Sequence, residues 1–234
     1  MPSNNISTND KNLLEMLAGA QTPYSIPYNQ RPYKWSQSNW EGLWTSLFSE
    51  DDYSRFIGTI ILLNELDVAN DPKVYVFDGQ QRITTLTILI KAAIETVFDK
   101  DDEVTAGKMF ASLIEINTTG EKRLQVSDNL KEYFENNIQS NPGDKPSQGI
   151  SKYEKEIFKA YKFFKSECEK YIKDYCSDNG EEFWKKLRKR LNAIDLVELS
   201  IEDMVLGIEI FESVNATGEK LDASELVKNI LVRY

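Results

Sequence analysis

The feature that most constrains the fold is a short strand-forming run that turns directly into a long apolar helix. Lys73 to Phe77 (KVYVF) has the β-branched and aromatic residues typical of a strand, and Asp78-Gly79 ends it. Arg82 to Phe98 (RITTLTILIKAAIETVF) follows at once and is long enough for a buried helix. Phe56 to Leu63 (FIGTIILL) predicts a second strand paired with the first. A strand, a tight turn and a helix on a small sheet are therefore expected.

The remaining chain is predicted to be mainly helical. A first helix is expected over 8–18, with Ser7 and Asp10 as a capping pair and Gly19 as its stop. Residues 22–35 contain three prolines and predict a strand or an ordered loop. Further helices are expected near 36–48, 102–114, 128–139, 151–176, 181–193, 203–213 and 222–234, with strands at 122–126 and 194–201 and a loop at 141–149. We predict the α+β class, with a first domain over 1–100 and a mainly helical one over 101–234. The last helix has no stop signal, so the natural protein is expected to continue.

Composition excludes several kinds of site. The 234 residues include no histidine, so Ser-His-Asp triads and zinc sites that need histidine cannot lie within them. The two cysteines, Cys168 and Cys176, are too far apart along a helix for a disulfide and are interpreted as buried or neutral thiols. With few cysteines and no apolar run near 18 residues, the chain is predicted to be cytoplasmic and to contact no membrane.

Net charge argues against nucleic-acid binding over the whole surface. The chain carries -10, but residues 152–190 hold 12 Lys/Arg against 8 Asp/Glu, a local +4. A solvated helix surface is the commoner explanation for such a run.

Asp78-Gly-Gln-Gln-Arg82 at the strand-to-helix junction is the strongest candidate site. A helix N-terminus offers unpaired N–H groups, glycine allows close approach, and Arg82 with Thr84 and Thr85 would supply phosphate donors. Asp78 could hold a divalent cation or polarise a water, and Gln80 and Gln81 could orient that water. The alternative is a plain turn with solvated glutamines. No P-loop or Rossmann glycine pattern occurs, so nucleotide chemistry would need another architecture.

Two further segments combine polar donors with turns or aromatics. Tyr28 to Trp35 (YNQRPYKW) suits contact with bases or phosphates, and Arg31 is its best candidate, whereas its aromatic residues could equally pack beneath the domain. Phe211 to Asp222, with Lys228 beyond it, places Asn215, Thr217 and Gly218 in a turn before a capped helix. Trp40 and Trp44 form an apolar stripe that is expected in the core.

Together these segments resemble the N-terminal, GmrS-like domain of GmrSD-type, modification-dependent restriction endonucleases. Ile26 to Trp35 (IPYNQRPYKW) is similar to that family's opening motif, Asp78 to Leu86 (DGQQRITTL) to its signature, and Phe211 to Gly218 with Glu225 to Asn229 to its distal motif. One departure is that Tyr28 stands two places before Gln30, where the commoner form has them adjacent. The resemblance implies a ParB/sulfiredoxin-like core that binds and hydrolyses nucleoside triphosphates, followed by a helical part. It also implies that DNA cleavage belongs to a separate, C-terminal HNH-type nuclease domain.

The resemblance also implies roles and partners. It assigns catalysis to Asp78, Gln80, Gln81 and Arg82, with Asp78 also holding Mg²⁺. It assigns nucleotide binding to Arg31, Gly79, Thr84, Thr85, Asn215, Gly218 and Lys228, and DNA binding to Tyr28, Gln30, Arg31 and Lys34. The expected cofactors are a nucleoside triphosphate and Mg²⁺; the expected partners are modified phage DNA and the nuclease domain, with a homo-oligomer as a further possibility. The alternatives are a modified-DNA reader without nucleotide turnover and a partner-docking module.

Overall fold

The computed structural model describes residues 6–27, 31–48, 55–66 and 72–201, and over these ranges the protein has an α+β fold. The strands are β1 (Ile6–Asn12), β2 (Tyr24–Ser25), β3 (Arg55–Leu66), β4 (Pro72–Asp78), β5 (Leu124–Gln125) and β6 (Ile194–Ile201). The helices are α1 (Leu13–Gly19), α2 (Gln37–Phe48), α3 (Gln80–Phe98), α4 (Glu103–Leu113), α5 (Asp128–Asn137), α6 (Lys152–Tyr175) and α7 (Gly180–Asn192). The predicted class, a small sheet with a mainly helical part, is confirmed.

One six-stranded sheet runs in the order β1-β6-β3-β4-β2-β5. At its centre β3 pairs antiparallel with β4, as predicted, and parallel with β6. β2 pairs parallel with both β4 and β5. Both predicted segments of the chain, 1–100 and 101–234, therefore contribute strands to the same sheet.

The prediction of a first helix over 8–18 is wrong in its first half. Ile6–Asn12 is a strand that pairs with β6 over its whole length, from Ile6 opposite Ile201 to Asn12 opposite Asp195. The helix begins only at Leu13, where the Asn12 side chain accepts from the Glu15 amide in a capping box. Ser7 and Asp10 are not its caps, because pairing with a distant strand outweighs local capping signals. Gly19 does end the helix.

Helix α3 is the buried centre of the helical part. Every residue from 83 to 97 is buried, and the helix packs against α4, α6 and α7. A helix that is apolar on all sides belongs in a core, so the length and composition of this segment predicted its position correctly.

The other predicted elements are placed close to their expected bounds. The four helices from 102 to 193 and the strands near 122–126 and 194–201 are confirmed within a few residues. Trp40 lies in the core, as do Cys168 and Cys176, whose pKa values are raised by burial. The helices predicted over 203–213 and 222–234 lie outside the described residues. Across the described ranges, no helix has the length and apolarity needed to cross a bilayer.

A buried ion pair fixes the loop at 141–149 to α3. Lys91 and Glu95, both fully buried, lie 2.8 Å apart, and Lys91 Nζ also donates to the carbonyl oxygens of Ser140 and Asn141 at 3.0 and 2.9 Å. The Gly143 amide donates to Glu95 Oε1 at 3.1 Å. The Lys91 ammonium and the Glu95 carboxylate thus satisfy loop backbone groups that would otherwise be buried without partners.

Replacing Lys91 with alanine should strongly destabilise the protein. The Lys91→Ala variant leaves the Glu95 carboxylate buried without its cation, and the expected loss is about 3–5 kcal/mol in the free energy of unfolding. Urea unfolding measures this loss, and hydrogen exchange at the Gly143 amide should rise at the same time.

Two further variants test the cause. The double variant Lys91→Met with Glu95→Leu removes both charges and should lose less stability than Lys91→Ala alone. Lys170→Ala breaks an exposed pair with Glu167 and should change stability by about 0.5 kcal/mol or less. Equal stability of the Lys91→Ala and Lys170→Ala variants would show that the buried pair does not hold the loop.

Candidate functional site

The site is built on the junction between β4 and α3. Asp78 is the last residue of β4, and Gly79 adopts φ +90°, a left-handed conformation that favours glycine. Gly79 stands at the N-cap with no side-chain bond to the helix, and the Ile83 amide donates to its carbonyl. The amides of Gln80, Gln81 and Arg82 thus form the first helical turn, which has no acceptor within its own helix. The predicted strand, turn and helix are confirmed.

The guanidinium of Arg82 lies against the backbone of two left-handed glycines. A Cβ atom at Gly58, which has φ +105°, would stand 2.8 Å from Arg82 Nη2. A Cβ atom at Gly79 would stand 3.5 Å from Arg82 Nη1 and 3.0 Å from Cγ1 of Ile60. Gly79 was predicted from the motif, whereas Gly58 was missed as a site residue. Its only sequence signal is a glycine inside an apolar strand, which indicates close approach of a neighbouring group.

Two irregularities in the sheet flank this position. Between Phe56 and Thr59 the pairing of β3 with β6 shifts register, and Gly58 lies within that shift. The pairing of β3 with β4 also shifts between Ile61 and Leu62, directly opposite the end of β4. Bulges bend strands and redirect side chains next to functional sites, and here they make room for the guanidinium.

Burial and a neighbouring carboxylate set the electrostatics of Arg82. Burial lowers the pKa of Arg82 below its usual value, and the negative charge of Asp78 partly offsets this effect. An arginine side chain remains charged even so. The junction therefore holds a fixed positive charge, largely removed from water, beside a carboxylate.

Gln81 fastens the extended segment after residue 30 to the start of α3. Its Oε1 accepts from the Lys34 amide at 2.8 Å, and its Nε2 donates to the Pro32 carbonyl at 3.1 Å. One side-chain amide thus bonds the backbone on either side of Tyr33. The structure therefore places Gln81 in a positioning contact, and sequence reasoning missed this role.

A directed hydrogen-bond chain lies beneath that contact. Thr85 Oγ1 donates to the Gln81 carbonyl at 2.7 Å, so the Tyr33 hydroxyl must donate to Thr85 Oγ1 at 2.9 Å. Tyr33 Oη in turn accepts from Trp40 Nε1 at 2.9 Å. Tyr33 is buried, and burial raises its pKa well above the usual value. The chain joins α2, the extended segment and α3 with every member satisfied.

Four predicted site residues line one small pocket. Arg31, Gln80, Gln81 and Thr84 meet there, although Arg31 lies about 50 positions before the other three. The pocket has a volume of about 20 Å³, enough for about one water molecule. Its remaining lining comes from Ile26, Pro32, Tyr33, Val126, Ser127, Leu130, Phe134 and Ile157.

Other predicted site residues fall elsewhere. Thr85 is fully buried in the hydrogen-bond chain, and Lys34 is exposed. Five of the residues assigned by the resemblance lie outside the described part of the chain: Tyr28, Gln30, Asn215, Gly218 and Lys228.

Asp78 is the single carboxylate that the motif brings to the junction. Over the described ranges, no three acidic or cysteine side chains gather to form a metal site. Mg²⁺ commonly binds one or two carboxylates together with substrate phosphates and water. One carboxylate next to a helix turn with unpaired amides is a donor set that would suit a magnesium ion arriving with a nucleotide.

The part of the chain that carries these motifs matches the model of a known protein family. The family model described as the GmrSD restriction endonuclease N-terminal domain matches residues 12–232. This chain belongs to that family. The match spans nearly the whole chain and includes the β4–α3 junction and the Gln81 contact. A search of the curated proteins found no match.

In this GmrSD N-terminal domain, replacing Gln81 with alanine should loosen the extended segment. The Gln81→Ala variant loses two hydrogen bonds and leaves the Lys34 amide and the Pro32 carbonyl without this partner. The expected cost is about 1–3 kcal/mol in the free energy of unfolding. Urea unfolding measures it, and hydrogen exchange at the Lys34 amide should accelerate.

Gln37→Ala is the matched control, because Gln37 bonds only the exposed side chain of Glu41. It should leave both stability and exchange at Lys34 nearly unchanged. If Lys34 exchanges at the parental rate in Gln81→Ala, the Gln81 amide does not hold the segment.

Proposed function

We propose that this domain binds and hydrolyses a nucleoside triphosphate at the β4–α3 junction, within a restriction system directed against modified DNA. The observation that carries the proposal is the convergence of two motifs from distant parts of the chain. Arg31 and the Gln80–Thr84 turn line one pocket, and Gln81 bonds the two segments together. Membership of a restriction endonuclease family supports the biological setting.

The phosphates would be bound by the first turn of α3 and by two arginines. Amides at a helix N-terminus and the helix dipole favour an anion. Arg31 lies at the pocket, and Arg82 lies beside Gly79 at the same turn. In this proposal Arg82 stabilises charge that develops on the transferred phosphoryl group, which is the usual task of a fixed arginine in such reactions.

Asp78 would hold Mg²⁺, and Gln80 would orient the attacking water. When bound, the ion would neutralise negative charge on the phosphates. Gln80 lines the pocket, whose volume suits one water molecule. Gln81 and Thr85 act as positioning residues, because their side chains bond the Tyr33 segment and the Gln81 carbonyl.

The nucleotide itself would lie outside the small pocket. A volume of about 20 Å³ admits a water but no triphosphate. The proposal therefore places the phosphates at the rim, above Gly79 and Arg31. Asn215, Gly218 and Lys228 would complete the binding site, with Thr84 supporting the phosphates.

A modified-DNA reader without turnover is the second candidate, and one observation favours it. Gln81 and Thr85, two residues of the signature motif, make internal hydrogen bonds that need no ligand. In that case the motif is mainly architectural, and Tyr28, Gln30, Arg31 and Lys34 would contact DNA. In both cases a C-terminal or separate nuclease domain would cut the DNA. For either function we propose that the protein is located in the cytoplasm.

Replacing the Arg82 guanidinium should strongly reduce phosphate release. The parent protein is incubated with each of the four nucleoside triphosphates and Mg²⁺, and inorganic phosphate is measured. Arg82→Lys retains one positive charge but loses the planar donors, and a loss of at least about 100-fold in kcat is expected. Arg31→Ala should also reduce turnover.

Arg190→Ala, a change on α7 away from the junction, is the control and should turn over like the parent. Circular dichroism and urea unfolding must show that each variant is folded. Equal phosphate release by Arg82→Lys and the parent would overturn the role of Arg82. No release by the parent, together with selective binding of modified DNA, would support the reader instead.

Gly58→Ala tests the same arginine without changing any charge. The new Cβ would stand 2.8 Å from Arg82 Nη2 and force the guanidinium to move, so turnover should fall at least about tenfold. Gly120→Ala is the matched control, since Gly120 also has a positive φ, +74°, but a Cβ there meets nothing within 4 Å. Both variants place an alanine at a positive φ, so the control accounts for the effect of backbone strain. Full turnover by Gly58→Ala would show that turnover does not depend on the position of the Arg82 guanidinium.

A further inference from the structure

A large open groove lies on the helical part, between α1, α4 and α7. Its volume is about 530 Å³, against about 20 Å³ for the pocket at the junction. Lys108 on α4 forms one wall, and Lys185, Arg188 and Lys189 on α7 form the other. We call these four residues and the space between them the basic groove.

The groove concentrates positive charge in a strongly acidic protein. Four cations line it, and among the described residues of its lining Glu181, which pairs with Lys185 at 2.9 Å, is the one acidic side chain. The chain as a whole carries -10. Cations gathered on one face against such a background indicate an anionic partner.

Ion pairs neutralise part of the basic 152–190 stretch. Several lysines of α6 are held in ion pairs: Lys159 with Glu156, Lys165 with Asp99 and Glu169, and Lys170 with Glu167. Lys108, Arg188 and Lys189 form no ion pair with any residue in the described ranges. Three of the four groove cations therefore keep an unneutralised charge.

Arg188 is held in place by an aromatic ring. Its guanidinium lies 5.5 Å from the ring centroid of Trp184, which is itself buried and lines the groove. A cation–π contact fixes a long side chain without neutralising its charge. This arrangement keeps Arg188 available to a partner while reducing the entropy lost on binding.

The cations form a row instead of converging on a point. Lys185, Arg188 and Lys189 follow the i, i+3 and i+4 positions of α7, and the polar side chain of Asn192 continues this face at i+7, so the face is about 10 Å long. That length spans about three nucleotides of one DNA strand. A small free anion would gain little from exposed lysines, whereas a polyanion gains by releasing its condensed counterions.

We propose that the basic groove binds the phosphodiester backbone of DNA. The inference rests on the proposed action of the domain on DNA, and it adds a contact surface distinct from the junction. Backbone contacts position a protein on the duplex without reading sequence. The groove would therefore bind unmodified and modified duplexes alike and leave recognition of the modification to other residues.

Charge reversal on the two walls tests the proposal. Binding of a short fluorescein-labelled, unmodified DNA duplex is measured by anisotropy over a range of salt concentrations, without nucleotide. Lys108→Glu on α4 and Lys189→Glu on α7 should each weaken binding by about tenfold or more at low salt. Each should also lower the slope of log K against log salt by about 1.

Lys155→Glu is the matched control, since Lys155 is exposed on α6 outside the groove and undergoes the same change of charge. It should bind DNA with an affinity and a salt slope close to those of the parent. Urea unfolding confirms that the three variants fold alike.

Competitors identify the kind of anion. DNA bound in the groove should be displaced by unlabelled duplex, and only weakly by inorganic tripolyphosphate or polyglutamate at equal charge. Displacement by polyglutamate as effective as that by duplex would overturn the proposal in favour of an acidic protein partner. The proposal would also be overturned if Lys108→Glu and Lys189→Glu bound DNA as well as Lys155→Glu does. The same holds if the parent protein bound no duplex. Phosphate release by the parent is measured in a separate experiment. A lack of nucleotide turnover can therefore be distinguished from a lack of DNA binding in the groove.

Discussion

The side-chain amide of Gln81 is the interaction on which the candidate site depends. It supplies both a donor and an acceptor to the backbone around Tyr33, at 3.1 and 2.8 Å. Residues 31–36 belong to no helix or strand, so their backbone groups need partners from other parts of the fold. Gln81 supplies those partners from the first turn of α3. Arg31 reaches the pocket because the chain just after it is held in this way.

A second constraint is the space that the Arg82 guanidinium needs. Gly58 and Gly79 both have positive φ, and a side chain on either would approach the guanidinium or Ile60. Register shifts in β3 lie beside both positions. The sheet is thus irregular where a regular ladder would exclude the arginine. Such irregularity costs stability, which is expected where a protein keeps a fixed charge out of water.

Local patterns predicted the junction well, because a strand, a glycine turn and an apolar helix are encoded by adjacent residues. The motif likewise led to the correct family. The first element failed because β1 is a strand only through β6, almost 190 residues away. Gly58 and the Gln81 contact were missed for the same reason, since each acts on a segment that the fold brings from elsewhere. The basic stretch was seen in the sequence, but only the fold brings Lys185, Arg188 and Lys189 into one groove with Lys108 of α4.

The packing around α3 determines how firmly the candidate site is held. The helix is buried from residue 83 to residue 97, and α7 abuts its end so closely that a Cβ at Gly180 would stand 2.9 Å from Cγ1 of Val97. A close-packed helix cannot shift without breaking its core. The segment at 31–34 is held to this helix by the Gln81 amide and the Tyr33 hydroxyl, and the buried Tyr33 ring packs into the same core. In the proposed function this segment carries Arg31 for the nucleotide and Lys34 for DNA, so both ligands would contact residues that α3 positions.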